Sequence, residues 1–169
     1  MSRPERSEAA EYYFTYIDKV PDGDILRILE VQSGELAALL ESIPEGRCEH
    51  RYAPDKWSIR EVVSHLNDCE RLFVFRAFWF ARGFTTPLPS FDQHVAIREA
   101  GADQRTWASH IEEFRTVRAA TVTFFGTLPA EAWDRRGIAS DNPFSVRALA
   151  YIAAGHVVHH IGLLKERYL

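Results

Sequence analysis

Apolar residues recur at spacings of three and four along four long stretches of the chain, the pattern of helices that bury one face. The first stretch covers roughly Asp24 to Ser42. Ile25, Leu26, Leu29, Leu36, Leu39 and Leu40 form its stripe, Pro21-Asp22-Gly23-Asp24 supplies a turn and an N-cap, and Pro44 and Gly46 end it. The second covers roughly Ser58 to Arg82, with Ile59, Val62, Val63, Leu66, Phe73, Val74 and Ala77 on one face. Ser58-Ile59-Arg60-Glu61 has the form of a capping box, in which the hydroxyl takes an orphan amide and the glutamate reaches back. Gly83 closes this helix and Pro87-Leu88-Pro89 prevents its continuation.

The third stretch covers roughly Asp103 to Leu128. Asp103 is its expected N-cap, and Trp107, Ile111, Phe114, Val117, Ala120, Val122 and Phe125 form its stripe. Pro129 ends it, and a short turn follows around Ala130 to Arg135. The fourth covers roughly Ser145 to Tyr168 through Val146, Leu149, Ile152, Ala153, Val157, Ile161, Leu163 and Leu164. No run alternates apolar and polar β-formers convincingly, and no Asn-Gly or Asp-Gly turn joins two such runs. The pattern therefore predicts an all-α helical bundle in one domain spanning residues 1–169. The aromatic segment Tyr12, Tyr13, Phe14 and Tyr16 is expected to pack across one end. The link between the second and third helices is about twenty residues long, against two to eight in ordinary bundles. Such a link implies a crossover, a pocket-lining segment, or both.

Composition sharpens this picture in a few places. Aromatic residues make up 12% of the chain, with 4 Trp and 11 Phe, so any pocket is expected to have aromatic walls. A net charge of −4 and a pI near 6.0 argue against a nucleic-acid partner, which would need a basic face. Two cysteines, Cys48 and Cys69, are too few for a disulfide scaffold. Met1 to Glu11 is polar, which predicts no secretory signal. The longest apolar stretch, Leu72 to Ala81, is interrupted by Arg76 and is too short to span a membrane. A reducing, cytoplasmic location is the expectation.

The candidate chemistry lies in the histidines, of which there are 7. Gly155-His156-Val157-Val158-His159-His160 falls on the last helix. His156 and His160, four apart, project from one face one turn above the other and can meet a single metal ion. His156 and His159, three apart, can chelate as well, and spacing alone does not choose between them. No Glu follows the first His, so the H-E-x-x-H protease motif is absent. Two helical ligands leave a site incomplete, and an open metal centre typically has three. His65, between Val62 and Leu66 on the inward side of the second helix, is the best third candidate. A neutral imidazole there without a metal would be an awkward polar group to bury, although a hydrogen-bonded core histidine is the plainer reading. His50, His94 and His110 are weaker candidates, because their surroundings look exposed.

A wider set of motifs then gives the chain a family likeness. Lys56-Trp57-Ser58-Ile59-Arg60-Glu61 opens a helix and His65-Leu66 and Asp68-Cys69-Glu70-Arg71 follow. Arg76-Ala77, Ala81-Arg82-Gly83 and Leu88-Pro89-Ser90-Phe91-Asp92 come next, and Ser145-Val146-Arg147-Ala148-Leu149 and Gly155-His156-x-x-His159-His160 close the series. With these the chain resembles the DinB-like (damage-inducible DinB/YfiT-like) superfamily of metal-binding proteins over nearly its whole length. The resemblance implies a right-handed four-helix bundle in up-down-down-up order, with one divalent metal, nickel or zinc, between the helices. Carried over by motif position, its ligands are His65, His156 and His160, and His159 turns away. Family habit also implies a homodimer and a small-molecule substrate. Some relatives are metal-dependent transferases that use low-molecular-weight thiols such as bacillithiol or mycothiol.

Three neutral imidazoles leave a metal its full charge and an open position. Such a centre can bind a thiol as thiolate or lower the pKa of water. The expected function is thus a metal-dependent transfer of a low-molecular-weight thiol to a small electrophile. The alternatives are a metal-dependent hydrolase and a non-catalytic, stress-related metal- or ligand-binding protein. Asp68 is placed to orient a ligand imidazole, but a solvated helix acid is the simpler reading. Cys69 shares the side of His65 and is expected to be a small buried residue rather than a ligand. Asp92 and His94 lie in the long link, within reach of a pocket mouth. Trp57, Trp79 and Trp107 are expected in the core.

Overall fold

The computed structural model describes residues 2–169. Four long helices dominate it: α2 (Ile25–Glu41), α3 (Ile59–Ala81), α5 (Trp107–Gly126) and α6 (Val146–Leu163). Two short ones, α1 (Phe14–Ile17) and α4 (Gln93–Glu99), flank the bundle, and a hairpin of β1 (Arg136–Ala139) and β2 (Asn142–Ser145) precedes α6.

Helix starts follow local chemistry. At α3 the expected capping box forms: Ser58 Oγ accepts from the Glu61 amide at 3.1 Å, and Glu61 accepts from the Ser58 amide at 2.7 Å. Ser145 caps α6 by accepting from the Ala148 amide at 2.9 Å. The third long helix starts later than its apolar pattern implies. Thr106, not Asp103, is its N-cap, because Gly101 adopts a left-handed conformation and a separate turn over Ala102–Gln104 intervenes. Asp24 occupies the N-cap position of α2, but its side chain makes no capping hydrogen bond.

The hairpin corrects the expectation of an irregular connection before the last helix. Its two-residue turn places Ser140 (φ 50°) and Asp141 (φ 60°) both in the left-handed region, as a type I′ turn requires. Ser and Asp tolerate that region less readily than Asn-Gly, so the usual sequence signal is missing. At Gly137 a Cβ would overlap the Phe80 ring, so the strand lies directly on α3.

Cross-helix contacts fix the directions. Leu29 O and Gln32 meet Arg118, whereas Leu40 O accepts from Trp107 Nε1, so α2 and α5 are antiparallel. Arg60 reaches Asp103 O, Asn67 reaches His110 O and Glu70 pairs with Arg118, so α3 and α5 run parallel. Tyr168, just past α6, donates to Trp57 O while His65 meets His156, so α3 and α6 are antiparallel. The order is therefore up, down, down, up. A parallel α3–α5 pair forces the intervening chain to travel back along the bundle, which accounts for the long link. That link is stitched to the hairpin: the Leu88 amide donates to Ile138 O at 2.9 Å, and the Ser140 amide to Leu88 O at 3.1 Å.

Two apolar clusters fill the interior. One gathers Phe73, Ala77 and Phe80 of α3 with the first half of α6; the other gathers Ile59, Val62 and Leu66 with Val157 and Leu164. The N-terminal segment packs on the first cluster through Phe14 and Ile17, while Tyr12 stays 63% exposed. No helix among the described residues is long and apolar enough to cross a membrane.

Candidate metal centre

A polar layer lies where the two apolar clusters meet. On α3 the first cluster begins at Cys69 and the second ends at Leu66; on α6 the first ends at Ala154 and the second begins at Val157. His65 and His156 stand at these boundaries, with His160 one turn beyond. All three are buried. His156 Nε2 lies 3.2 Å from His65 Nε2 and 3.1 Å from His160 Nε2. The structure thus brings together the three histidines singled out from the sequence. His159 takes no part in these nitrogen contacts; its ring lies edge-on to Tyr16 at 5.5 Å and to His160 at 4.9 Å.

Burial keeps these imidazoles neutral. Desolvation, with the neighbouring histidines adding to it, lowers the pKa of His65 to about 4 and of His160 to about 3, and that of His156 well below its ordinary value. The Arg118 guanidinium, across the layer, adds to the effect at His156. Arg118 is itself fully buried and held by Glu70 through two bonds of 2.5 and 2.6 Å, by Gln32 at 3.0 Å and by Leu29 O. Gln32 in turn donates to Ala154 O on α6, two residues before His156.

Cys69 is closer to this group than the sequence suggests. Its Sγ lies 3.5 and 3.6 Å from the two nitrogens of His65, and His65, Cys69 and His156 offer donor atoms all within 4.8 Å of one another. The nearly equal distances put the sulfur off both lone-pair directions of the ring. Desolvation pushes its thiol pKa up to about 12.

His65 and His156 form part of the wall of a cavity of about 490 Å³ that opens to solvent. Tyr12, Tyr13, Tyr16, Phe73 and Phe91 give it aromatic walls, and Asp92, Gln93 and His94 of the long link stand at its edge. Asp92 caps α4, accepting from the amides of His94 and Val95 through Oδ1. Trp57 is only partly buried and faces both His65, at 4.8 Å, and His94, at 5.7 Å, so it serves the site rather than the core alone. Trp107 is a core residue, as expected. Trp79 is half-buried and stacks on Phe84 at 4.2 Å.

Other candidates resolve differently. Asp68 pairs with Arg71 at 3.7 Å and lines a separate groove, in keeping with a plain helix acid. His110 is fully buried rather than exposed, because Trp107 and α4's following turn close over it; its Nε2 donates to Ala102 O at 2.9 Å. His50 and His94 are exposed. Pattern reading missed the N-terminal tyrosines and Arg76 as site residues. The available signals were Gly155, where a Cβ would overlap the Tyr16 carbonyl, and the one charge inside the apolar run of α3.

Comparison with known proteins gives the same picture at the level of fold. The model of the DinB superfamily matches residues 28–164. YfiT from Bacillus subtilis, described as a probable metal-dependent hydrolase with an unusual four-helix bundle topology, superposes with a TM-score of 0.76 at 17% identity, over 98% of this chain and 90% of that one. The mycothiol-dependent maleylpyruvate isomerase matches with a TM-score of 0.70 at 11% identity, over 85% of this chain and 60% of the isomerase. The DinB-like protein YjoA from Bacillus subtilis matches with a TM-score of 0.60 at 23% identity, over 85% and 87% of the two chains. No curated protein sequence matches.

Proposed function

Because the chain belongs to the DinB superfamily, we propose that it is a metal-dependent enzyme in which His65, His156 and His160 hold one divalent ion, nickel or zinc, and a low-molecular-weight thiol is transferred to a small electrophile. The observation that carries this reading is the convergence of three neutral imidazoles, two of which, His65 and His156, line an open, aromatic cavity. Nitrogens bound to zinc at 2.0–2.1 Å in a tetrahedral site lie about 3.3 Å apart, close to the 3.1 and 3.2 Å found here. A single proton on His156 Nε2 serves its two neighbours poorly, and His160 Nδ1 is buried with no partner. A cation accepting the Nε2 lone pairs resolves the first of these; it leaves the proton of His160 on Nδ1, whose partner the metal does not supply.

When bound, such an ion supplies a Lewis acid that stabilises the anionic form of a coordinated thiol or water. The protein's own residues do the rest. Burial holds the imidazoles as lone-pair donors, Trp57 and Phe73 fix the rings of His65 and His156 from the sides, and the tyrosine wall excludes water from one flank. Among the described residues Asp92 is the one carboxylate of the cavity wall, and its Oδ1 is committed to backbone amides. A thiol ionises more readily than water and has less need of a general base, which favours thiol transfer. Cys69 is the alternative third ligand, in a His65, Cys69, His156 set.

Hydrolysis is the second reading, favoured by the fold shared with YfiT and by His94, an imidazole at the cavity edge that can take a proton from water. The test is a rate measurement on protein loaded with zinc or nickel, using a panel of thiols with chlorodinitrobenzene and a panel of esters and amides without thiol. A thiol-dependent rate abolished by chelation and by His156→Ala is expected. Turnover of esters alone would favour the hydrolase, and no turnover on any panel would end the enzyme reading.

A further inference from the structure

Arg76 is the buried charge that the metal centre does not explain. It is 2% exposed, lies on α3 two turns beyond Cys69, and lines the same cavity as His65 and His156. Its Nη2 donates to Ser140 Oγ at 2.8 Å and to Pro89 O at 3.3 Å, the Tyr13 hydroxyl and the Phe144 ring, 5.9 Å away, also face the guanidinium, and its Nε is buried without a partner. The other buried arginines have carboxylates: Arg118 is paired with Glu70, and Arg60 with Glu45 at 2.9 Å. Among the described residues no carboxylate lies within ion-pair distance of Arg76. An unpaired buried cation is costly, and a guanidinium with spare donors is a preformed carboxylate site.

We infer that Arg76 is the anchor of an anion subsite in the cavity, and that the small molecule taken there is an organic carboxylate with an aromatic or otherwise flat apolar body. The guanidinium binds the carboxylate, with Ser140 and the Pro89 carbonyl holding the guanidinium in place. Tyr13, Tyr16 and Phe73 contact the body, which extends towards the imidazoles. This names the substrate class for the centre proposed above and rests on that reading for its catalytic meaning, but the binding itself needs no metal.

The test compares benzoate with its neutral isostere benzamide by calorimetry, on full-length protein freed of metal by chelation and on the zinc-loaded form. A hydrogen bond to a charged partner typically contributes about 1.5–3 kcal/mol, so benzoate should bind metal-free wild type at least about tenfold tighter than benzamide. Arg76→Gln should bring the two affinities together, and Arg76→Lys should keep part of the difference. Should Arg76→Gln fail to fold, the 15N resonance of the Arg76 Nε–H in wild type provides the answer, moving in step with benzoate occupancy. Equal affinities in wild type, a preference that survives Arg76→Gln, or an unmoved Nε resonance would overturn the inference. A protein that takes up no zinc but keeps the Arg76-dependent preference would retain this subsite and lose the metal-enzyme reading; zinc uptake without the preference would do the reverse.

Discussion

Two single residues show how closely the core and the site depend on each other. Arg118 is a fully buried charge tied to Glu70 and Gln32, and its field bears on His156. Arg118→Leu leaves Glu70 as an uncompensated buried carboxylate and should cost about 3–5 kcal/mol in urea unfolding. Adding Glu70→Leu should recover much of that loss; a double variant as unstable as the single one would show that packing, not the pair, is at stake. Gly155 lets α6 touch the backbone at Tyr16, so Gly155→Ala must push α1 away. The expected loss is at least about 1–3 kcal/mol, read from thermal unfolding, and unchanged stability would refute the close approach. At this scale the histidines were the legible part. Their spacing and helix position marked His65 and His156 as candidates and left His159 and His160 open, and the family motif chose His160; the tyrosines and Arg76 reach the cavity through tertiary packing that no local period encodes. Cys69 was read as a buried filler, and burial was right, but its nearness to His65 depends on the rotamers of both.

Elements were legible where a local device sets them. The Ser58 capping box and the Ser145 cap stand where their sequences put them. Ser58→Ala should cost about 1 kcal/mol in urea unfolding without changing metal stoichiometry, because it frays a turn that ends before His65. A drop in metal content would instead show that this first turn positions the imidazole. The start of α5 was misread because Asp103 and Thr106 are both competent caps, and the left-handed Gly101 decides between them. The hairpin was missed for a related reason. Gly137 and Pro143 lower its strand propensity, and its stability comes from Phe80 beneath it and Leu88 beside it.

For the whole molecule, the up-down-down-up order is what makes a cavity. Parallel α3 and α5 send the long link back across the bundle, and that link delivers Phe91, Asp92 and His94 to the cavity edge. The same fold buries several neutral imidazoles, which sets a pH dependence. Their folded pKa values lie below the ordinary 6.5, at about 4 for His65 and about 3 for His160. Below pH 6.5 the unfolded chain therefore binds more protons than the folded one, and stability falls as pH falls. The slope should be about 1.4 kcal/mol per pH unit for each histidine so held. Urea unfolding of chelator-treated protein at pH 7 and pH 5 checks this; equal stability at both would mean that these imidazoles are not held neutral.

The most direct test of the central claim is the metal content of tag-free protein by plasma mass spectrometry, with wild type beside His65→Ala, His156→Ala, His160→Ala and Cys69→Ser. The account predicts about one equivalent of nickel or zinc in the wild type and in Cys69→Ser, with loss in each histidine variant. Retention in His160→Ala together with loss in Cys69→Ser would replace the third ligand by Cys69. A wild type that stays empty after zinc and nickel are offered would contradict the account and leave the three imidazoles as a structural layer in the core.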